Sequence, residues 1–286
     1  MALGIVDLQP WGADAGGDLV AHYRAQGYAI VRGFFSPAEI AEIGAAIDAV
    51  EAEAAAHGRS FRHGNLAYRL VDGDVRMAQW PSWTNRVLDA VRLDRRFARL
   101  LAPLIGDDLK QIINQLHWKP QGEGSGGDFA WHQDSRFRRP AEAFRDLGDT
   151  YVQTGLAIDP HEPLSGGLRV VPGSHRRGAA MAADGDVLAN PMDDAALVAA
   201  GFDPASVVDV ALDPGDLALW SPYLVHASGS NRSAHRRRFY INGYVRAAAC
   251  DRGEWAFRHG EPVPLPPQPS LVHFDQLHER PEPHYF

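Results

Sequence analysis

From about Lys110 to Val245 the apolar residues come in short runs, each closed by Gly, Pro, Asp or Asn, and no helical periodicity separates one run from the next. This is the strongest constraint on the fold. The runs read as strands at 111–118, 151–158, 168–171, 207–212, 217–220 and 238–245. Short strands without alternating helices pair antiparallel and bury their apolar faces by stacking as a sandwich or jelly roll. Before Lys110 the pattern is helical. A helix is expected over 18–26, stopped by Gly27, with a short strand at 28–32. Ser36, Pro37 and Glu39 then form a helix start: an N-cap, a proline at the first helical position and the partner of a capping box. Ile40, Ile43, Ile47 and Val50 follow as one apolar stripe on a helix running to about Gly58. A further helix is expected over 85–104, ended by Gly106.

The organisation that follows is mainly β with N-terminal helices, in one domain. Its helical part covers about 1–108, a jelly-roll core about 109–246 and a C-terminal extension about 247–286. The stretch 176–206, rich in Ala, Gly and Asp, reads as an insertion, partly helical at 193–200, and as a candidate active-site lid. The formal net charge of −8 gives no basic face for nucleic acid. No apolar run approaches the roughly 18 residues of a membrane span. No secretion signal is read at the N-terminus. With Cys250 as the one cysteine, no internal disulfide forms, and a reducing cytoplasm is the expected location.

Among 13 histidines two lie in His-x-Asp triplets: His132-Gln-Asp134 and His273-Phe-Asp275. On an extended segment, residues two apart point to the same side. A third ligand from a distant strand would complete a two-histidine, one-carboxylate site, which leaves one face of an octahedral metal open. His226 lies far enough downstream for several strands to bring it back to His132 and Asp134. His273 has too little chain after it, so the second triplet reads as surface or terminal packing. Pro214-Gly-Asp216 turns into a strand read as ending at His226, and Arg237 opens the next. An arginine there could return beside the metal and grip a carboxylate with two parallel hydrogen bonds. Its neighbours Arg236 and Arg238 leave the register open by one residue. Strand parity favours Arg237, which shares a face with Phe239 and Ile241.

Four motifs in this order resemble the phytanoyl-CoA dioxygenase family of Fe(II)/2-oxoglutarate-dependent oxygenases over about residues 18–245. They are Lys119-Pro120, Trp131-His132-Gln133-Asp134, Ser165-Gly-Gly167 through Pro172-Gly173-Ser174-His175, and His226-x-Ser228-x-x-Asn231 with Arg237. The resemblance implies a double-stranded β-helix, a cupin-like jelly roll. It implies that His132, Asp134 and His226 ligate Fe(II), and that Arg237 and Ser228 hold the far carboxylate of 2-oxoglutarate. Lys119 matches a position implicated in co-substrate binding, and Gln115 and His117 share its strand parity. The implied reaction consumes O2, converts 2-oxoglutarate to succinate and CO2, and hydroxylates a small molecule, with ascorbate as a reductant in assay. Desaturation and ring formation are further outcomes of the same chemistry. Related halogenases lack the carboxylate, so Asp134 implies hydroxylation.

Blander readings stand beside these. Lys119 reads equally as an exposed strand-end lysine, Trp131 and Trp220 as core packing, Asn231 as a turn residue, and Pro172–His175 as a structural turn. Ser135 to Arg139 reads as a solvated basic loop, or as arginines (Arg136, Arg138) that attract an anionic substrate. His63 to Arg69 is a second candidate for the cavity mouth. A 2-oxoglutarate-independent cupin-type metal enzyme, and a degenerate metabolite-binding member, are the rival functions.

Overall fold

The computed structural model describes residues 15–121, 128–181, 192–267, 269 and 282–286. The chain begins with α1 (Ala15–Gln26), β1 (Tyr28–Val31) and α2 (Pro37–Ala56), then an antiparallel run β2 (Phe61–His63), β3 (Leu66–Val71) and β4 (Asp74–Gln79). Helices α3 (Arg86–Arg92) and α4 (Arg95–Ile105) lead to β5 (Leu109–Lys119) and β6 (Phe129–His132). There follow α5 (Leu147–Thr150), β7 (Tyr151–Ala157), β8 (Leu168–Val170), α6 (Ala195–Ala199), β9 (Val208–Val210), β10 (Leu217–Trp220), β11 (His226–Ser228) and β12 (Arg237–Arg246). The chain ends with β13 (Glu254–Arg258), β14 (Glu261–Pro262) and β15 (His284–Tyr285).

Two sheets stack. The large one runs β1-β10-β7-β12-β5-β4-β3-β2-β15, with β13 also paired to β5; the small one runs β6-β11-β8-β9. Every pairing is antiparallel. Alternation along β12 divides the core. Tyr240 and Tyr244 join the layer under the helices with Ile43, Ile47, Phe97 and Leu101. Phe239 faces the small sheet with Leu168, Val170 and Trp220. Burying each such side chain contributes about 1.5–3 kcal/mol. Gly155 on β7 lets the two layers close: a Cβ there would strike the Phe239 ring.

The mainly β jelly roll is the architecture expected, and the differences are local. The stretch before 109 is not all helix, since β2, β3 and β4 extend the large sheet beyond β5. Their residues lack a clean alternation because β3 is buried over Leu66–Tyr68 and half-open beyond. The expected helix at 85–104 is two, because Asp94 stops one and caps the next by accepting from the Arg96 N–H. The strand expected to end at His226 is split. β10 belongs to the large sheet and β11, which begins at His226, to the small one. Residues 221–225 carry the chain between the sheets.

Glu39 joins α2 to α4. Its carboxylate accepts from the Ser36 N–H at 2.7 Å, closing the capping box, and from Arg96 Nη2 at 2.6 Å. The Arg96 hydrogen bond is the main cause that holds the Glu39 pKa at about 2, below its ordinary 4.5. A depressed folded-state pKa stabilises above the ordinary value and is lost as pH falls through the folded one. Glu39→Gln should therefore cost about 1 kcal/mol near neutral pH, given its exposure. The variant's deficit should shrink between pH 4.5 and about 2. Thermal melts followed by circular dichroism across that range check this; a deficit independent of pH contradicts it.

Candidate metal centre

The small sheet builds the centre. His132 ends β6, His226 begins β11, and the two are direct partners in the antiparallel ladder. Their ring centroids lie 4.2 Å apart. Each ring is aimed by a backbone carbonyl two residues earlier. His132 Nδ1 lies 2.7 Å from the Ala130 oxygen and His226 Nδ1 2.9 Å from the Leu224 oxygen. Those hydrogen bonds put the proton on Nδ1 and leave the Nε2 lone pair for a metal. Gln133 is extended, so Asp134 returns to the His132 side and opens a 3-10 turn. Asp134 Oδ1 is 3.8 Å from His132 Nε2, and Oδ2 is 3.9 Å from His226 Nε2. All three side chains are buried, with ligand atoms within 4.8 Å of one another. For metal–ligand bonds of ~2.1 Å, ligands on one octahedral face sit ~3.0 Å apart, so the three donors stand a little wider than a set closed around one ion.

The protonation states suit ligation. Burial, with His226 second, pushes His132 down to about 3, so its imidazole is neutral. Burial alone would push Asp134 up, but His226, Arg138, His132 and the Trp220 N–H together hold it below the ordinary carboxylate range. Two imidazoles and one carboxylate form the donor set that non-haem Fe(II) takes, with open positions on one face.

The triad opens into a cavity of about 580 Å³ between the sheets. Arg237, at the first position of β12, lines it and is 3% exposed. Its Nη1 lies 3.5 Å from His161 Nδ1, and its Nε has no partner. Burial lowers its pKa to about 9, against the pull of Asp159, so the group stays charged at neutral pH. The neighbours take other work: Arg238 pairs with Asp159 and Asp48, and Arg236 with Asp48 and Glu51. Parity therefore selects Arg237 for the cavity. Gln115, His117 and Ser228 line it as well. Burial, then Arg237 and Lys119, drives His117 to about 3.

Lys119 is buried at 1% exposure, not a loose strand end. Its ammonium donates to Ser228 Oγ at 2.7 Å and to the Ser228 and Gly229 carbonyls. Ser228 Oγ thus accepts from Lys119, and its own proton is left to donate into the cavity. Asn231 holds its turn by donating to the Lys119 and His235 carbonyls. Ser174 Oγ accepts from the Val225 N–H, and His175 reaches the Arg24 carbonyl, so the Pro-Gly-Ser-His stretch locks the backbone beside His226. His273 and Asp275 lie outside the described residues.

Three contributors escaped the sequence. Trp220, read as packing, donates its indole N–H to Asp134 Oδ2 at 2.9 Å. Gln133 satisfies its whole amide, donating to Gly178 and Tyr223 oxygens and accepting from Ala180 and Met181. His161 touches Arg237 and stacks near Phe239. Gln133 lies inside the His-x-Asp motif, but its partners at 178–181 and 223, like the neighbours of Trp220 and His161, come near only in the fold. The described parts of 176–206 pack against the small sheet. Met181, Met192, Leu197 and Phe202 pack with Trp131, Val225 and Ala227 on the small sheet, and Trp131 Nε1 donates to Asp194.

This is the fold of the cupin-like jelly-roll dioxygenases. It superposes on EctD from S. alaskensis, a structure with 2-oxoglutarate and 5-hydroxyectoine, with a TM-score of 0.68 at 21% identity, covering 92% of this chain and 93% of that one. It also matches the epimerase SnoN, a complex with Fe3+, alpha-ketoglutarate and nogalamycin RO, with a TM-score of 0.59 at 23% identity, covering 90% and 99%. A sequence model of the phytanoyl-CoA dioxygenase family matches residues 23–239, and the chain belongs to that family. A relative in Stutzerimonas stutzeri, a probable alpha-ketoglutarate-dependent hypophosphite dioxygenase, is 26% identical over 244 residues, 79% of this chain and 77% of that protein.

Hydrogen bonds behind a ligand set metal affinity, typically by 10–100-fold. Trp220→Phe removes only the donor to Asp134. It should weaken Fe(II) binding by about 10-fold or more in anaerobic calorimetry. Equal affinity contradicts the role given to the indole.

Proposed function

We propose that the protein is an Fe(II)/2-oxoglutarate-dependent hydroxylase of a small molecule. The carrying observation is Arg237: a buried guanidinium, with no carboxylate partner among the described residues, in the cavity that holds the His132–Asp134–His226 triad. An uncompensated buried charge is costly, so such a group calls for an anionic ligand. In this reading the triad holds Fe(II). Arg237 takes the distal carboxylate of 2-oxoglutarate, Ser228 donates a second hydrogen bond, and Gln115 lies beside them. Lys119 acts by fixing Ser228. When bound, iron, 2-oxoglutarate and O2 supply a two-electron oxidation that yields succinate and CO2 and places one oxygen atom on the substrate. The chain's own part is orientation and exclusion. Asp134 keeps its charge for the metal, the two imidazoles are aimed by the Ala130 and Leu224 carbonyls, and the aromatic walls of Trp220 and Phe239 keep water away.

The activity named for the Stutzerimonas stutzeri relative supports the 2-oxoglutarate reading over a cupin enzyme that works without it. The presence of Asp134 supports hydroxylation. No helix among the described residues is long and apolar enough to cross a membrane, and the single cysteine supports a cytoplasmic oxygenase built as one domain.

Purified protein with Fe(II), ascorbate and 2-oxoglutarate should release succinate, slowly even without substrate. His132→Ala or Asp134→Ala should abolish the release; unchanged turnover in both rules out this centre. Arg237→Ala should weaken 2-oxoglutarate binding by about 30-fold or more, the effect of removing one partner of a buried charged pair. Unchanged affinity would favour the 2-oxoglutarate-independent enzyme.

A further inference from the structure

The cavity carries more positive charge than the proposed metal and co-substrate use. Arg69, Arg136, Arg138, Arg139 and Arg237 all line it, and Asp134 is the one carboxylate among its described lining residues. This occurs in a chain of net charge −8. A ferrous ion and a 2-oxoglutarate dianion cancel each other, so their arrival leaves the surplus in place.

After Arg237, Arg138 is the most buried of the five. It is 4% exposed. Its Nη2 donates to Tyr151 Oη at 2.8 Å and to Gln153 Oε1 at 3.4 Å, both neutral groups, and its Nε is buried without a partner. Its nearby carboxylate is Asp134, which the proposed metal claims, so a guanidinium hydrogen-bonded only to neutral acceptors is then aimed but not compensated. Arg138 also stands apart from the co-substrate end. Gln153 faces Gly243 on β12, six residues along the strand from Arg237. At ~3.3 Å per residue those rows lie roughly 20 Å apart, and Trp220, the Asp134 partner, pairs with Gln153. The two arginines therefore mark different ends of the cavity. The wall between them is apolar: Ile113 faces Gly243 on the row beside Gln153, and Met77, Phe137 and Ile241 extend it.

We propose that the primary substrate is an organic anion with an apolar body, its carboxylate or phosphate received by Arg138, with Arg69 and Arg139 adding positive potential to the same cavity. This rests on the function proposed above. A small inorganic oxyanion, with no carbon skeleton, would leave most of the apolar wall and of the about 580 Å³ unfilled.

The test uses anaerobic protein with Fe(II) and saturating 2-oxoglutarate, so that Arg237 is already engaged. Calorimetry then compares matched probes: phenylacetate with phenylacetamide, octanoate with octanamide, and hexyl phosphate with hexanol. The expected result is binding by the anionic members and about 10-fold or weaker binding by the neutral ones, with the carboxylate and phosphate arms naming the acid. Arg138→Gln should erase the anion-to-neutral ratio, and Arg138→Lys should restore part of it. A merely structural arginine would lower both members of a pair alike. Equal affinity for charged and neutral probes, or no anion binding by protein that binds 2-oxoglutarate, overturns the proposal. Failure of 2-oxoglutarate itself to bind overturns the underlying function instead.

Discussion

The antiparallel pairing of β6 with β11 is the constraint on which the rest depends. It sets His132 and His226 on one rung, and the carbonyls of Ala130 and Leu224 turn both rings to present Nε2. These strands are only 4 and 3 residues long. So short a ribbon is marginal alone, and much of the surrounding sequence serves to hold it. Lys119 clamps the end of β11 through Ser228 and Gly229. Gln133 ties the turn after β6 to the loop at Gly178–Met181. Ser174 receives the Val225 N–H just before the metal-facing histidine. Gly166 has a positive φ, and a Cβ there would strike the Gly229 carbonyl, so the Ser-Gly-Gly turn can seat beneath β11 only as glycine.

Burial then turns position into chemistry. The same burial that keeps His132 neutral encloses Arg237 and Arg138, neither of which forms an ion pair among the described residues. Stability alone would not retain them, because an uncompensated buried cation is unfavourable. In the proposed reading they are binding capacity, one cation for the co-substrate and one for the substrate, in the cavity that also holds the triad and the Trp220 indole.

Much of this was legible from residue types and spacing. The parity of β5 and β12 follows from alternation, so Gln115 and His117 face the cavity with Arg237, while Arg238 turns to Asp159 and α2. The capping box at Ser36 and Glu39 is a local signal and forms as read. What stayed hidden depends on which strands become neighbours. Trp220 looked like packing because six residues and a change of sheet separate it from His226. Lys119 gave no sign of burial, because its acceptors, Ser228 and Gly229, lie far along the chain. The β2–β4 extension was missed because β2 is only three residues long and half-buried throughout, while burial along β3 and β4 does not alternate. The 176–206 segment looked like a lid from length and composition. Its described apolar residues instead find Trp131 and Ala227 behind the small sheet.

The most direct test of the central claim is a crystal structure grown anaerobically with Fe(II) and 2-oxoglutarate. The account requires one ion held by Nε2 of His132, Nε2 of His226 and the carboxylate of Asp134, with the distal carboxylate of 2-oxoglutarate on Arg237. An ion held elsewhere, or a co-substrate whose far carboxylate lies away from Arg237, would contradict it.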